Sequence, residues 1–206
     1  MAKVVIGLIA KSAAGKETFD TLLKEWAIEH GYMAHVVYTG TDGLLGAIGD
    51  DLNGTGFVKT AGNLIALSNV IRKHFGKETL ANGAKRLVEQ SEAQIVVYDA
   101  VRWDTDLCAV QSFKDHLTVF VSVNADTRYE RLKARARPGE AVITWLEFVK
   151  REQDPTAIEI QRLGEMADCL IPNDLGLEEY REAVRNFLRL RVKPIVDRQY
   201  QQPFSE

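Results

Sequence analysis

Five short apolar runs, rich in β-branched residues, alternate along this chain with longer stretches of helical periodicity. That alternation narrows the fold more than any other feature. The runs cover residues 4–9, 35–38, 95–98, 117–123 and 169–171, the last closed by Pro172. Between them, residues 16–30, 62–75, 78–90, 105–113, 126–135, 144–153 and 177–190 read as helices. In 16–30, for example, Phe19, Leu22, Leu23 and Trp26 share one side. A run that is apolar at every position is covered on both faces. A parallel sheet with helices above and below supplies that cover. The expected fold is α/β, a three-layer sandwich around a five-stranded parallel sheet. A chain of 206 residues can bury such a core without disulfides or a structural metal.

Composition removes other classes. Hydrophobic residues make up 46% and charged residues 27%, ordinary globular usage, so disorder, collagen and a disulfide scaffold are excluded. The net charge of -3 gives no broad attraction to nucleic acid or a membrane surface. Cys108 and Cys169 lie far apart with no metal-ligand spacing, as in a reduced cytoplasmic protein. His30, His35, His74 and His116 form no ligand pair. The opening apolar run is about ten residues, where a spanning helix needs roughly 20. The expectation is a cytoplasmic protein with no membrane or nucleic-acid partner.

Two segments interrupt the alternation. Residues 39–60 carry Gly40, Gly43, Gly46, Gly49, Gly54 and Gly56 with little periodicity, and read as a loop, either ligand-facing or ordinary surface. The polar tail 194–206, with Pro194 and Pro203, reads as loosely packed or as mediating contacts, and is assigned no function.

The chemistry begins between the first strand and the first helix. There the sequence runs Ala10-Lys11-Ser12-Ala13-Ala14-Gly15-Lys16-Glu17-Thr18. Small residues let the backbone curl around a phosphate, and the helix N-terminus faces the anion. Residues Ala13, Ala14, Gly15, Lys16, Glu17 and Thr18 are the candidate cradle. Lys16 would reach the β- and γ-phosphates, and the Thr18 hydroxyl would ligate Mg²⁺. Against the pattern G-x-x-x-x-G-K-[ST], Ala10 replaces the first glycine and Glu17 takes the hydroxyl position.

The third strand leads into Asp99-Ala100-Val101-Arg102. An Asp at the carboxyl end of a parallel strand faces the ligand crevice. Asp99 could organise Mg²⁺ or accept a proton, and Arg102 could neutralise a phosphate. The plainer alternative is a helix-capping pair. Trp103 could stack on a base or simply pack, while Trp26 and Trp145 read as core residues. After the fourth strand, Asp126 is placed to cap a helix, and Arg128, Arg131 and Arg135 follow on one face, with Arg137 beyond. Guanidinium groups suit phosphate oxygens. The alternative is a solvated basic helix end.

Together with Ala167-Asp168-Cys169-Leu170-Ile171-Pro172-Asn173, these pieces resemble the P-loop small-molecule kinases of the nucleoside monophosphate kinase superfamily. Within it, the chain is most similar to deoxynucleoside monophosphate kinase-like and dephospho-CoA kinase-like proteins, which share a Gly-Lys-Asp/Glu-Thr loop. The resemblance covers most of residues 3–190. It implies a P-loop NTPase-type kinase domain over 1–193 and a tail over 194–206. Within that domain, 39–92 would be a helical acceptor-binding insertion and 135–142 a short lid. ATP and Mg²⁺ would be held through Lys16 and Thr18, with Asn173 near the adenine. Asp99 and Arg102 would face the acceptor and Mg²⁺, and Arg131, Arg135 and Arg137 the transferred phosphoryl group. Relatives open the acceptor region with a Ser/Thr-Asp pair and then an Arg. Here Thr41-Asp42 leads into Gly43-Leu44-Leu45-Gly46, so Lys59, Asn63 and above all Arg72 are the replacement candidates.

The implied activity is Mg-ATP-dependent transfer to a small phosphorylated acceptor, a (deoxy)nucleoside monophosphate first and dephospho-CoA second, by a monomer or homodimer. A sensor or scaffold without transfer activity, and a nucleotide-driven switch on a macromolecule, stay open as alternatives.

Overall fold

Strand β1 (Val4–Ala10) has no exposed residue, and the rest of the molecule is arranged around it. The computed structural model describes residues 3–40, 43–99, 101–136 and 142–201. Four further strands, β2 (Ala34–Tyr38), β3 (Ile95–Asp99), β4 (His116–Ser122) and β5 (Cys169–Pro172), join β1 in the order β2-β3-β1-β4-β5. All pairings are parallel, with Ile6 opposite Val97 on one side and Leu117 on the other. Parallel neighbours require crossover connections, and helices supply them.

The two faces of β1 divide its side chains by the strand period. Val4, Ile6 and Leu8 join one core layer with α1 (Lys16–Glu29) and α9 (Leu177–Phe187). Val5 and Ile9 join the other, with Ala84 and Val88 of α4 (Thr79–Gln90) and Val110 of α5 (Asp104–Gln111). Each such aliphatic side chain contributes about 1.5–3 kcal/mol of burial. Strand order reverses at β1: α1 leads out to β2 on one side, and β3 leads across to β4 on the other. Ligands in open α/β sheets bind beyond the carboxyl ends of the strands at such a reversal.

Between β2 and β3 the chain inserts α2 (Leu44–Leu52), α3 (Ala61–Phe75) and α4. Helix α2 corrects the reading of residues 39–60 as a loop. Gly46 and Gly49 are buried on its inner face, and a Cβ at Gly49 would stand 2.8 Å from Leu64 Cδ2. The glycines permit close helix packing.

On the other side of the sheet, α6 (Ala125–Arg135) and α7 (Trp145–Glu152) build a satellite core of Leu132, Ile143 and Phe148. Asn124, not Asp126, caps α6, accepting the Thr127 N–H at 2.8 Å. Trp145 belongs to this satellite and is 43% exposed, stacked on Phe148, so it is no core residue, whereas Trp26 is.

Helix α8 (Pro155–Glu165) lies between the helical stretches that periodicity marks; it starts at a proline in its first turn, a position that suits proline. Its Gly164 lies against the Phe120 ring, where a Cβ would be 2.6 Å from Cδ2. Gly164→Ala should therefore lower stability by about 1–3 kcal/mol through overpacking. Urea denaturation measures this, and an unchanged midpoint would contradict the contact.

Residues 194–201 of the tail are also more ordered than their composition suggests. A π-helical turn (Leu188–Val192) leads into α10 (Lys193–Gln201), whose Val196 is fully buried. Arg198 and Gln199 bond Asp115, and the Tyr32 hydroxyl donates to Asp197. Among the described residues no helix is long and apolar enough to cross a membrane.

Candidate functional site

The turn between β1 and α1 is built on two left-handed residues, Ala13 (φ 61°) and Gly15 (φ 102°). Ala10 is part of β1, pairs with Val121 and is buried, so the first motif position needs no glycine. The backbone demand falls on Ala13, where an L-residue in this conformation costs about 1–2 kcal/mol. Such strain gathers at functional loops. The Ala14 N–H donates to the Lys11 carbonyl at 3.2 Å, which closes the turn. Gly15 precedes α1 and offers no capping side chain. The first-turn N–H groups of a helix have no intrahelical acceptor, so this end presents donors and the positive end of the dipole.

A clamp holds the loop from below. Asn173 is buried, and its Nδ2 donates to the Ala14 carbonyl at 2.9 Å. Arg131 Nη2 donates to the Asn173 carbonyl at 2.9 Å. The Tyr180 hydroxyl donates to the Gly15 carbonyl at 3.2 Å. The Asn173 side chain, expected near the adenine, is thus part of the brace under the loop. The structure places Arg131 on the same brace. Asn173→Ala would leave a buried carbonyl unpaired, a penalty of about 1–3 kcal/mol. Stability should fall by that amount with the fold retained; urea denaturation checks it, and a wild-type midpoint would refute the brace.

The loop lysine faces the end of β3. Lys16 Nζ lies 2.5 Å from Asp99 Oδ1, and Asp99 is buried. One helical turn beyond Lys16 is Asp20, 3% exposed, with neither carboxyl oxygen in full hydrogen-bond geometry. Burial, and then the Asp99 charge, push its pKa up to about 7, while Lys16, Lys24 and the Tyr38 hydroxyl pull it down. Asp20 escaped the motif reading, although a signal existed: it is the carboxylate among Phe19, Leu22 and Leu23 on the buried side of α1. Thr18 is half-buried on the first turn of α1. Tyr180 had no motif to mark it.

No model of a known protein family matches the chain. It is 28% identical over 188 residues to the UPF0200 protein of Methanoculleus marisnigri, spanning 89% of this chain and 94% of that one. A shikimate kinase from Bacteroides thetaiotaomicron superposes with a TM-score of 0.60 at 18% identity, over 91% of this chain and 97% of its own. Deoxyadenosine kinase from M. mycoides, solved with bound dCTP, gives 0.51 at 13% identity, over 90% and 98%. This chain has the P-loop kinase fold.

Asp106 ties the segment after β3 to the start of α5: Oδ2 accepts the Arg102 and Trp103 N–H groups at 3.0 and 3.1 Å, and Oδ1 the Tyr98 hydroxyl at 2.9 Å. Burial raises the Asp106 pKa, although these hydrogen bonds oppose it. Arg102 Nη2 approaches Gly40. Arg72 of α3 lies over the Trp103 ring, 4.6 Å from its centroid, so the insertion meets the segment after β3 through a cation–π contact. Lys59 instead pairs with Asp50, 2.7 Å from both oxygens, and Asn63 Nδ2 bonds the Val58 carbonyl; both stabilise the insertion itself. Thr41 and Asp42 lie outside the described residues.

The arginine face of α6 divides. Arg128 is buried and takes Glu152 in a bidentate pair. Arg135 is half-buried at the end of the helix, before Ala136 in the left-handed region. Arg137 and most of the expected lid lie outside the described residues.

Proposed function

We propose that the chain is a P-loop small-molecule kinase that transfers the γ-phosphoryl group of Mg-ATP to a small phosphorylated acceptor, in the first place a (deoxy)nucleoside monophosphate. One observation carries the reading. A strained small-residue loop opens helix α1 at the strand-order reversal, and its Lys16 points at the Asp99 carboxylate.

In this reading Ala13, Ala14 and Gly15 present backbone to the phosphates, and Glu17 and Thr18 belong to the same first turn. Lys16 exchanges Asp99 for phosphate oxygens and neutralises charge that spreads in transfer. The hydroxyl of Thr18 and the carboxylate of Asp99 are hard oxygen donors that suit Mg²⁺, directly or through water. Bound there, Mg²⁺ neutralises phosphate charge. Arg102 and Arg72 receive the acceptor's anionic group, with Trp103 beside them. Thr41 and Asp42 begin the acceptor segment, and Arg135 and Arg137 close over the phosphates. The enzyme is read as cytoplasmic, a monomer or homodimer, with nucleotides as its partners.

The acceptor decides what Asp99 does. A monophosphate attacks through an oxygen that is already ionised, so Asp99 need only organise the metal. A hydroxyl acceptor such as dephospho-CoA must lose a proton, and Asp99 is the carboxylate positioned to take it. The test is ADP release from Mg-ATP with ribo- and deoxynucleoside monophosphates and dephospho-CoA. The reading expects one monophosphate to turn over at about 1–100 per second. Turnover with dephospho-CoA alone would shift the acceptor class. No turnover despite nucleotide binding would favour the non-catalytic sensor.

A further inference from the structure

The phosphate loop carries a second lysine that none of these roles uses. Lys11 stands five residues before Lys16, at the β1 end of the loop. Its carbonyl accepts the Ala14 N–H, so its backbone is part of the turn. Its ammonium reaches α7, with Nζ 3.0 Å from Glu152 Oε2.

Glu152 already has a partner. Arg128 Nη1 lies 2.8 Å from Oε1 and Nη2 2.5 Å from Oε2. Arg128 is 3% exposed, donates Nε to the Val123 carbonyl and stacks on Phe148 at 5.4 Å. Burial alone would raise the Glu152 pKa. Hydrogen bonds from Arg128 and Lys11 outweigh it and hold the carboxyl below its usual range, so Glu152 is a carboxylate. Among the described residues one negative charge thus serves two cations, which leaves a positive charge over beside the loop. Arg128 is locked on three sides. Among the described residues Lys11 holds the cluster by a single hydrogen bond, and it is the cation able to leave. Lys16 stands in the same relation to Asp99 on the β3 side. Each loop lysine therefore rests on a carboxylate from another element.

We propose that Lys11 is a second phosphate ligand of the loop, exchanging its contact with Glu152 for an oxygen of the bound nucleotide's phosphate chain. The proposal rests on the nucleotide-binding reading of the loop. Glu152, kept in place by Arg128, is the resting partner. Release of Lys11 leaves a charge-balanced Arg128–Glu152 pair behind, so the exchange strands no buried charge. It also unhooks the loop from α7, which makes α7 sensitive to nucleotide occupancy.

The experiment is calorimetric titration of the full chain, in Mg²⁺, with ADP and the non-hydrolysable ATP analogue adenosine 5′-(β,γ-imido)triphosphate. The variants are Lys11→Met and Lys11→Arg. Lys11→Met leaves the Arg128–Glu152 pair whole, so its melting temperature without nucleotide should match wild type. Arg128 satisfies Glu152 with or without Lys11, so the contact Lys11 gives up is worth less than the charge-assisted bond to phosphate that it gains, and Lys11→Met should bind the analogue about tenfold more weakly. Lys11→Arg should regain most of that loss. Wild-type affinity in Lys11→Met, or an equal loss in Lys11→Arg, would overturn the proposal while leaving the loop's role intact. Failure of wild type to bind either nucleotide would overturn the phosphate-loop reading, and this proposal with it.

Discussion

Lys16→Ala should reduce phosphoryl transfer by a factor of about 10²–10³, the usual cost of removing one charge-stabilising group from a transition state. The fold should survive. The loop is closed by the Ala14–Lys11 backbone bond and braced through Asn173 and Tyr180, and none of these contacts uses the Lys16 side chain. What the variant removes is the ammonium beside Asp99, 2.5 Å from Oδ1. Asp99 and Asp20 then face each other without the cation between them, so stability at neutral pH should fall as well. The two effects separate in one preparation: steady-state kcat reports transfer, and urea denaturation reports folding. Wild-type kcat in a folded Lys16→Ala protein would remove Lys16 from the chemistry.

The second large effect concerns Asp20. An unfolded chain ionises an Asp at about 3.9, whereas burial and the Asp99 charge raise Asp20 in the folded protein to about 7. Below both values the group is protonated in either state. Between them the folded protein holds a proton that the unfolded chain has released. Stability therefore falls as pH rises through this window, by about 1.4 kcal/mol per unit, and levels off above pH 7. Asp20→Asn removes the ionisation. Its amide, buried without full partners, costs about 1–3 kcal/mol, which offsets part of the gain. The net expectation is a variant about 1–3 kcal/mol more stable than wild type at pH 8 and less stable at pH 5. Urea midpoints at the two pH values measure this. Parallel pH profiles would show that Asp20 is ionised in the folded protein.

The strands were legible because a parallel sheet buried on both faces writes itself as continuous apolar runs, and β1 is such a run from Val4 to Ala10. The loop was legible for a different reason. Its chemistry needs small residues, a lysine and a helix start in one short stretch, and all three are local. Helix α2 was hidden because Gly46 and Gly49 look like loop residues until Leu64 is brought against them. Helix periodicity placed Arg128, Arg131 and Arg135 together but could not say which way that face turned. Glu152 decides it for Arg128, and Asn173 for Arg131. The brace of Asn173 and Tyr180 under the loop joins residues more than 150 positions apart, Nδ2 to the Ala14 carbonyl and hydroxyl to the Gly15 carbonyl, and leaves no local pattern. Ala10 shows the reverse: a departure from the motif that loses its force once the residue is seen inside β1.

The most direct test of the central claim follows the phosphoryl group itself. Mg-ATP labelled in the γ position is incubated with the wild-type protein and a mixture of nucleoside and deoxynucleoside monophosphates, and the products are separated. The account predicts label in a nucleoside diphosphate, and its disappearance in Lys16→Ala. Label found only in inorganic phosphate, at the same rate with and without acceptors, would contradict it.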